Sequence, residues 1–363
     1  MAPLASGLVE KIGEPASRVK HSAIGIPQSQ VRVLDDLKIP DHRAGLSIMV
    51  DLLLDDEIGV IGLPEEITAI GHRVVHGGDA FDRSVIIDKA ALYSLHELSP
   101  LAPLHQPVNL KLIEACIDAC PDTPQVACFD TAFHRNMPAE ARNYALPRAL
   151  TEAGIHRYGF HGLSYEYAWE QLQAREADAS EKRVIIAHLG AGASLCAIRR
   201  GRSIATTMGF STAEGLPMMT RTGSIDPGIL IYLVREQGMG ADELEQLVYR
   251  ESGLIGIAGE QGSMIELRAS ARPQAREAID YFVYRIVREI GSLTAALGGL
   301  DLLVFTGGIG ENDASIRNAV CDRLTWLART PGVYVIAADE EAMIARHTVR
   351  VLEKPATTNE RGV

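Results

Sequence analysis

The sequence predicts an α/β protein with mixed sheets and two lobes. Its 363 residues exceed the length at which one hydrophobic core usually stops growing, so two lobes of ordinary domain size are expected. Apolar runs of strand length alternate with segments of helical periodicity. One group of successive short strands, separated by glycine-containing turns, has the spacing of an antiparallel meander, which indicates sheets of mixed direction.

The composition argues against several classes of protein. Hydrophobic residues make up 47% and charged residues 23% of the chain, so it can bury a core and is not disordered. A formal net charge of -12 argues against a nucleic-acid-binding surface. No apolar stretch has the length of a membrane span, and Met1–Ile26 lacks the pattern of an export signal. Five cysteines without disulfide or zinc spacing predict reduced thiols and a cytoplasmic protein.

In the first part of the chain, polar residues follow predicted strands. The predicted elements are, in order, a helix over Leu34–Leu54, a strand over Ile67–Val75, a helix over Val108–Cys120 and a strand over Gln125–Phe129. The first strand carries Arg73 and His76 to a glycine pair, and the second ends at Asp130. Side chains at strand ends are candidates for a site.

The second part of the chain contains the meander and a later strand that runs into glycines. The predicted elements are strands over Arg183–Leu189, Ala193–Arg199 and Ser203–Thr207, a long helix over Ala275–Leu297, a strand over Leu302–Thr306, a helix from about Asp313, a strand over Val333–Ile336 and a helix over Glu340–Arg346. This order of elements is typical of an α/β fold.

Two glycine-rich turns are candidate phosphate-binding loops. DLLVFTGGIGEN, residues 301–312, places glycines between a strand and a helix, where backbone amides can approach a ligand. HLGAGAS, residues 188–194, forms a turn whose amides and Ser194 hydroxyl could hold phosphate oxygens. Either could be an ordinary tight turn, but together they favour a nucleotide site, because a triphosphate needs several amide donors.

Two arginines and two further polar residues lie in apolar or glycine-rich sequence. Arg73 in GHRVVHGG and Arg221 in MMTRTGSIDPG carry guanidinium groups that match carboxylate and phosphoryl oxygens. A structural salt bridge is the alternative for each. Asp130 in CFDTAFH and His161 in RYGFHGLS could equally be hydrogen-bonded core groups, which outnumber catalytic ones.

Taken in order, these motifs resemble the motif series of the acetate kinase family. The series is GHRVVHGG, LAPLHQPVNL, FDTAFHRNMP, RYGFHGLSY, HLGAGAS, MGFSTAEGLPMMTRTGSIDPG and FTGGIGEN, over residues 71–312. Flanking similarity extends from about Leu4 to Thr348. The resemblance implies a two-lobed, actin-like ATPase (ribonuclease H-like) fold, with mixed sheets flanked by helices. It also implies an ATP-dependent enzyme that reversibly phosphorylates acetate to acetyl phosphate.

The resemblance implies a role for each matching residue. Asp130 would be the catalytic acidic residue, and His161 and Arg221 would stabilise the transferring phosphoryl group. Arg73 would hold the substrate carboxylate. The short acyl pocket would be lined by Val75, Leu104 and Phe160.

The resemblance also implies a set of ATP and metal contacts. The ATP contacts would be His188, Leu189, Gly190, Ala191, Gly192, Glu266, Arg268, Gly307, Gly308, Ile309, Gly310 and Glu311. Glu340 occupies the place of the family's metal-associated glutamate, for Mg²⁺ or alternatively Mn²⁺, although a charged helix surface is the simpler interpretation of that residue. A homodimer is also implied.

The lobes and the departures from the family pattern follow from the same comparison. Residues 1–131 with 339–363 would form the N-terminal lobe, and residues 132–338 the C-terminal nucleotide-binding lobe. The N-terminal lobe is expected to be incomplete, since the family's first strands and their asparagine, serine and lysine phosphate loop are missing, which suggests a mispredicted start or a truncated chain. Smaller departures are Ala191, Thr212 and Glu266. The alternatives are a propionate or butyrate kinase, or an inactive paralogue with a binding role.

Overall fold

The computed structural model describes residues 2–24 and 31–353, which form two compact units. The first unit takes in the described parts of 1–76, 83–128 and 341–363, and the second consists of 77–82 and 129–340. Parts of the predicted N-terminal lobe, namely Met1, 25–30 and 354–363, lie outside the described residues, as does part of the Met1–Ile26 segment considered for an export signal.

The elements up to residue 129 alternate between strands and helices. In chain order they are β1 (Ala5–Glu10), β2 (Ser17–Ala23), β3 (Val31–Leu37), α1 (His42–Leu53), β4 (Ile70–Val74), β5 (Val85–Ile86), α2 (Lys89–Glu97), α3 (Gln106–Ala119) and β6 (Gln125–Phe129). Short 3₁₀ helices lie at Pro64–Glu66 and Ser99–Leu101.

Strands β1, β2 and β3 form an antiparallel sheet that the sequence did not predict. The predicted helix over Leu34–Leu54 is wrong in its first residues, because Leu34–Leu37 continue β3. Burial alternates along β3, the period of a half-buried strand. The helix starts only at His42, where the Asp41 carboxylate accepts a hydrogen bond from the Ala44 N–H and caps it.

A second sheet of the first unit has the order β4-β6-β5. Every residue of β6 is buried, and β5 pairs with it antiparallel. The predicted strands over Ile67–Val75 and Gln125–Phe129 are therefore confirmed, the first in a shorter form. α3 contacts β4, and the Asn109 side chain of α3 accepts a hydrogen bond from the Val75 N–H at 3.1 Å.

The elements after residue 129 include the predicted meander. In chain order they are α4 (Ala139–Arg142), α5 (Arg148–Glu152), α6 (Gly162–Arg175), β7 (Arg183–Leu189), β8 (Ala193–Arg199), β9 (Arg202–Thr206), α7 (Pro227–Gln237), α8 (Ala241–Gln246), α9 (Gly253–Ala258), α10 (Met264–Ala269), α11 (Pro273–Leu297), β10 (Leu302–Thr306), α12 (Gly307–Asn312), α13 (Ala314–Cys321), β11 (Gly332–Val335) and α14 (Glu340–Glu353). Two 3₁₀ helices, Ala132–His134 and Ala179–Glu181, and a π-helix, Leu247–Glu251, complete the set.

The second unit is built on a mixed five-stranded sheet with the order β11-β10-β7-β8-β9. β10 runs parallel to both of its neighbours, whereas β7, β8 and β9 form the predicted antiparallel meander. The mixed α/β class is thereby confirmed. In the parallel pair, Thr306 lies opposite His188, so the two strands reach the same edge of the sheet together. At this edge, each of the two strands is followed by a glycine-rich segment.

Helices pack on the sheet and bury its three central strands, β10, β7 and β8. One core cluster joins Tyr165, Trp169 and Leu172 of α6 to alternate residues of the strands, such as Ile186 and Val304. α11 contacts β7, β8 and β9 and buries residues spaced three or four apart, namely Phe282, Ile286, Ile290, Leu293 and Leu297. The predicted long helix over Ala275–Leu297 is confirmed.

Within residues 2–24 and 31–353, no helix combines the length and the hydropathy needed to cross a membrane. The five cysteines are free thiols, and three of them, Cys116, Cys128 and Cys196, are buried. Burial raises the pKa of Cys116 to about 11 and that of Cys196 to about 12. These thiols therefore stay protonated and act as small apolar groups.

Candidate active site

The two predicted glycine-rich turns lie side by side at one edge of the sheet in the second unit. The prediction of a loop before Asp313 is wrong for the second turn, because its glycines already belong to the short helix α12. A Cβ atom on Gly307 would come within 2.8 Å of the Leu189 carbonyl oxygen, and one on Gly190 within 3.8 Å of the Gly308 nitrogen. Gly307 also has a φ of +78°, which favours glycine. The first turn closes by a hydrogen bond of 3.0 Å from the Gly190 N–H to the Gly192 carbonyl. The backbone amides of the two turns thus lie close together.

A cavity of about 570 Å³ opens beside these turns. It is lined by Gly190, Ala191, Met219, Ser263, Met264, Ile265, Arg268, Gly308, Ile309, Asn312 and Asp313. Five of the predicted nucleotide residues are thereby brought together, and they come from three distant parts of the sequence. The apolar side chains of Met219, Met264, Ile265 and Ile309 give the cavity the character of a small-molecule pocket.

Sequence reasoning missed several lining residues of this cavity. Met219 adjoins Arg221 in the MMTRTG motif, and Met264 and Ile265 follow Ser263 at the start of α10. The available signal was the capping box of Ser263 and Glu266, which marks the first turn of a helix. Its position next to the glycine turns could not be deduced from that signal.

Arg268 and Glu266 lie on α10 but are used differently. The Arg268 guanidinium pairs with the Asp313 carboxylate, and both residues line the cavity. The Glu266 carboxylate instead accepts a hydrogen bond of 2.6 Å from the Ser263 N–H, and this bond lowers the pKa of Glu266. Glu266 therefore caps its own helix and is absent from the cavity lining.

The remaining predicted nucleotide residues take structural positions around the turns. The Leu189 side chain is fully buried, so only its backbone can face a ligand. His188 Nδ1 lies 2.8 Å from the Ser164 hydroxyl oxygen. The Glu311 carboxylate accepts a hydrogen bond from the Ala338 N–H at 2.9 Å, and the Gly310 carbonyl accepts one from the Arg317 side chain at 2.8 Å.

Asp130 and His161 are joined through a constrained loop. The Gly162 N–H donates a hydrogen bond of 2.9 Å to the Asp130 carbonyl, and a Cβ atom on Gly162 would lie 2.2 Å from that oxygen. His161 has a φ of +59°, which is uncommon for a residue other than glycine. Gly159 has a φ of +77° and packs against the ring of His134. The surrounding contacts hold His161 in a strained conformation, as is typical of functional sites.

The buried imidazole of His134 supports the same loop. Its Nε2 lies 2.9 Å from the Phe160 carbonyl oxygen and its Nδ1 lies 2.8 Å from the Ser203 hydroxyl. Burial lowers the pKa of His134 to about 4, so the ring is neutral near pH 7. Nε2 then donates to the carbonyl, and Nδ1 accepts from the hydroxyl.

His161 and Arg221 approach the same glycine of the first turn. A Cβ atom on Gly192 would lie 3.2 Å from His161 Nε2 and 3.9 Å from Arg221 Nη1. The His161 ring stacks on that of His188, with centroids 4.3 Å apart. Ser194, which we expected to face phosphate, is fully buried instead, and its hydroxyl lies 2.8 Å from His161 Nδ1. The side chains of a histidine and an arginine therefore both lie next to Gly192.

Arg221 is half-buried and is oriented by local contacts. Its Nη1 donates to the Thr212 carbonyl at 3.2 Å and lies 3.5 Å from the Met218 sulfur. Burial lowers the pKa of Arg221 from its usual value, although a guanidinium still remains charged near neutral pH. The contacts described for its guanidinium are thus with a backbone carbonyl and a sulfur, not with a carboxylate as the salt-bridge alternative requires.

The predicted acetate-binding residues are distributed over both units. Arg73 on β4 is exposed, whereas Val75 and Leu104 of the same unit are half-buried. Phe160 belongs to the second unit and is fully buried, with its carbonyl bonded to His134. Glu340 is the first residue of α14.

The donor set for a metal is small. Among the residues with described positions, no group of three His, Cys, Asp or Glu side chains could hold a metal ion. Mg²⁺ is usually held by one or two carboxylates together with substrate phosphates and water, rather than by an all-protein cage. That pattern needs only a single carboxylate, such as that of the buried Asp130 or that of Glu340 at the start of α14.

Sequence comparison identifies the family of the chain. The sequence model of the Acetokinase family matches residues 1–360. An acetate kinase of Methylocella silvestris is 43% identical over 377 aligned positions, covering 98% of this chain and 92% of that protein. An acetate kinase of Rhodopseudomonas palustris is 50% identical over 309 positions, covering 79% of this chain and 78% of its own length.

Structural comparison gives the same result. The crystal structure of Porphyromonas gingivalis acetate kinase has a TM-score of 0.86 at 36% identity and covers 96% of this chain and 94% of its own. A propionate kinase from Francisella tularensis has a TM-score of 0.87 at 36% identity, covering 96% and 93%. The predicted actin-like ATPase fold and phosphotransferase class are confirmed. On sequence and fold alike, the chain belongs to the acetokinase family.

Proposed function

We propose that this chain transfers the terminal phosphoryl group of ATP reversibly to acetate, giving acetyl phosphate and ADP. The observation that carries the proposal is the approach of His161 and Arg221 to Gly192, in the turn that also lines the cavity at Gly190 and Ala191. A nucleotide in this cavity would present its phosphates to the amides of both turns. Its terminal phosphate would then lie within reach of the two side chains that can stabilise its charge.

In this proposal the nucleophile is a carboxylate oxygen of acetate. Ordinary carboxylic acids titrate near pH 4, so the nucleophile is already ionised at neutral pH and needs no base. Asp130, which is 2% exposed, would then act by orienting a cation or a polar neighbour during in-line transfer. Most of the rate enhancement would come from positioning and charge neutralisation.

Recognition of the acid is assigned to the residues that match the family's acetate-binding motifs. Arg73 would hold the carboxylate through its guanidinium fork, and Val75, Leu104 and Phe160 would enclose the short acyl chain. Changing Arg73 to Ala should raise the KM for acetate by about 10-fold or more, because a hydrogen bond to a charged group contributes about 1.5 to 3 kcal/mol. The KM for ATP should change little. Arg202→Ala, an exposed arginine of β9, is the control and should leave both KM values unchanged.

The nucleotide would bring a divalent metal, Mg²⁺ or alternatively Mn²⁺. Glu340 is the carboxylate to which we assign it, as the first residue of α14. When bound, the metal would neutralise charge on the phosphate oxygens. The contribution of the chain is to orient those oxygens through the amides of the two turns.

The acceptor can be tested by comparing kcat/KM for acetate, propionate and butyrate with ATP. We expect acetate to be the best acceptor, by about 10-fold or more over propionate, since one extra methylene is worth about 1 to 3 kcal/mol in a closed pocket. A propionate preference is the second candidate, because the Francisella tularensis propionate kinase is as similar in fold as the acetate kinase. Failure to form any acyl phosphate would contradict both candidates.

We also propose that the chain forms a homodimer and works in the cytoplasm. Support for the dimer comes from α7, which has no buried residue although it is rich in apolar side chains. Four of them, Ile229, Ile231, Tyr232 and Val234, are 46 to 55% exposed. An apolar helix of this kind is usually covered by a partner, and a second copy related by twofold symmetry is the commonest one. The free thiols support a reducing compartment.

A further inference from the structure

The loop that carries Arg221 is held between the ends of two helices. One is the π-helix Leu247–Glu251, which directly follows α8, and the other is α9. The ends of helices leave backbone carbonyl and N–H groups without partners inside the helix, and here the loop supplies several of those partners. The loop itself contains a tight turn, which the Met218 N–H closes by donating to the Arg221 carbonyl at 3.0 Å.

On one side, the loop binds carbonyl groups at the end of the π-helix. The Thr222 N–H donates to the Val248 carbonyl at 3.1 Å. The Thr220 hydroxyl donates to the Tyr249 carbonyl at 2.7 Å. Thr220 and Thr222 flank Arg221 in the sequence, so the residues on both sides of the arginine are bonded to the same helix end.

On the other side, carbonyl groups of the loop accept hydrogen bonds from the start of α9. The bonds are 2.9 to 3.1 Å long and run from Ser252 N–H to Thr220, from Leu254 N–H to Met218 and from Ile255 N–H to Met219. Gly253 allows this close approach, because a Cβ atom there would lie 2.1 Å from the Met218 carbonyl oxygen. Its φ of +67° also favours glycine.

We propose that Thr220 and Gly253 are positioning residues, which hold the backbone of this loop so that the Arg221 guanidinium lies beside Gly192. The proposal rests on the phosphoryl-stabilising role proposed above for Arg221. Phosphoryl transfer depends on placing charge accurately, and a displacement of about 1 Å can lower the rate of an enzyme by about 100-fold. Thr220 and Gly253 therefore act through Arg221.

The guanidinium needs this support because its own described contacts are weak. Its Nη1 lies 3.2 Å from the Thr212 carbonyl and 3.5 Å from the Met218 sulfur. The first distance is at the upper end of the ordinary range for hydrogen bonds, and a thioether is a weak acceptor. The position of the guanidinium therefore depends chiefly on where the backbone of the loop is held.

Kinetics provide the first test. Thr220→Val removes the hydroxyl that is bonded to the Tyr249 carbonyl and keeps the shape of the side chain. We expect kcat to fall by about 10-fold and the KM for ATP to stay within about threefold, because the backbone bond of Met219, which lines the cavity, is retained. Thr220→Ser keeps the hydroxyl, and its kcat should be within about twofold of wild type. Thr348→Val is the control: it removes a comparable bond to the Ile344 carbonyl, 2.8 Å long and in α14, and should leave kcat unchanged.

Combination with Arg221→Ala shows whether Thr220 acts through the arginine. In that background, Thr220→Val should change kcat by less than about twofold, because the group that Thr220 positions is absent. A merely structural role would lower kcat by the same factor in both backgrounds, and this result would overturn the proposal. Wild-type kcat in the single variant Thr220→Val would overturn it as well.

A measurement without turnover separates this proposal from the proposed reaction. NMR on the full chain with ¹⁵N-labelled arginine detects the guanidinium Nε–H groups, and Arg221→Lys assigns the Arg221 signal by its loss. We expect that signal to shift in Thr220→Val and in Gly253→Ala, and to stay in place in Thr220→Ser and in Thr348→Val. An unchanged Arg221 signal in Thr220→Val would contradict the proposal, even if the chain formed no acyl phosphate. If Thr220→Val does not fold, Thr220→Ala takes its place in each test.

Discussion

Single residues set the geometry of the site through backbone conformations that few side chains allow. His161 occupies the left-handed region with a φ of +59°, between Gly159 and Gly162. Gly159 leaves room for the His134 ring, and Gly162 leaves room for the Asp130 carbonyl. The conformation of the loop therefore depends on the lack of a side chain at Gly159 and Gly162 as much as on His161 itself.

Gly162→Ala should damage both stability and catalysis. A Cβ atom at this position would lie 2.2 Å from the Asp130 carbonyl oxygen, so the loop must move. We expect a loss of about 1 to 3 kcal/mol in the free energy of unfolding and a fall in kcat, measured by urea denaturation and steady-state kinetics. Gly298→Ala is the matched control, since its Cβ would meet nothing within 4 Å, although its φ of +72° also disfavours alanine. It should lower stability without changing kcat. Equal kcat values in all three proteins would contradict the account.

His134 should make stability depend on pH. Its pKa is about 4 in the folded chain against 6.5 as the ordinary value, so the unfolded chain binds the extra proton between these values. Stability must then fall as the pH drops through that window. From pH 7.5 to pH 5 the loss from this residue is about 2 kcal/mol. His134→Gln should remove this part of the pH dependence in urea denaturation, whereas His96→Gln, at an exposed position, should keep it. The same pH dependence in His134→Gln as in wild type would exclude this origin.

At the residue scale, the sequence identifies the candidate catalytic residues but not the residues that hold them in position. Asp130, His161 and Arg221 stand out because each lies in apolar or glycine-rich sequence. Ser194 was expected to contact phosphate and His134 was assigned no role, since their partners in the fold are 33 and 26 residues away along the chain. Their roles depend on which strands become neighbours, and this is a property of the folded sheet.

At the scale of elements, the site depends on two parallel strands ending together. The register that places Thr306 opposite His188 brings two distant glycine segments to one edge. Both strands could be predicted from their apolar runs, and each glycine turn from its composition. Their pairing could not, because parallel strands are joined by long connections that leave the register open. The capping of α13 by Asp313 connects this edge to the cavity.

Asp313→Ala should weaken nucleotide binding. The Asp313 carboxylate accepts hydrogen bonds from the Ser315 and Ile316 N–H groups and also pairs with Arg268 in the cavity. We expect a loss of about 1 kcal/mol in stability from the lost cap and a KM for ATP raised several-fold, because Arg268 loses its orientation.

Asp88→Ala is the control for that variant. It removes an equivalent cap at α2, where the carboxylate accepts from the Ala91 N–H at 2.7 Å. It should lower the free energy of unfolding by about as much as Asp313→Ala does, without changing the KM for ATP. An unchanged KM in Asp313→Ala would rule out the assigned function of the ion pair.

The first strands are where sequence reasoning failed at this scale. β1, β2 and β3 carry many polar residues, and several of their apolar side chains are exposed, such as Leu8 and Val33. Burial alternates along β2, but two of its buried positions are the polar residues Ser17 and His21, so the sequence shows no alternation of apolar and polar residues there. The helical periodicity that starts at Leu34 overlaps the end of β3 and hides the boundary at Pro40 and Asp41.

At the scale of the whole molecule, the mixed α/β class followed from the order of the elements and is confirmed. Length and apolar content were enough to predict a large buried core, while the match of motifs over most of the chain pointed to the family. The oligomeric state is harder to predict from the sequence, because the apolar pattern of a helix such as α7 is the same whether the helix packs against a core or against a partner subunit.

Ile231→Asp should disrupt the proposed dimer. Ile231 is 52% exposed on α7, and a buried, unpaired carboxylate at an interface is strongly unfavourable. Light scattering after size-exclusion chromatography should give about twice the chain mass of 39.3 kDa for wild type and the single mass for the variant. Val333→Asp, an exposed apolar position on β11, should remain dimeric. A monomeric wild type, or a dimeric Ile231→Asp, would exclude this interface.

The proposed action of His161 and Arg221 on a phosphoryl group at the glycine-rich turns is tested most directly by Arg221→Ala. Acyl phosphate formed from ATP and acetate can be trapped with hydroxylamine, while calorimetry measures ATP affinity in the same preparations. We predict that the variant loses kcat by about 100-fold or more, since a preorganised group facing developing charge contributes at least that much, and that its Kd for ATP stays within about threefold. A variant with wild-type kcat would contradict the placement of phosphoryl transfer at this turn.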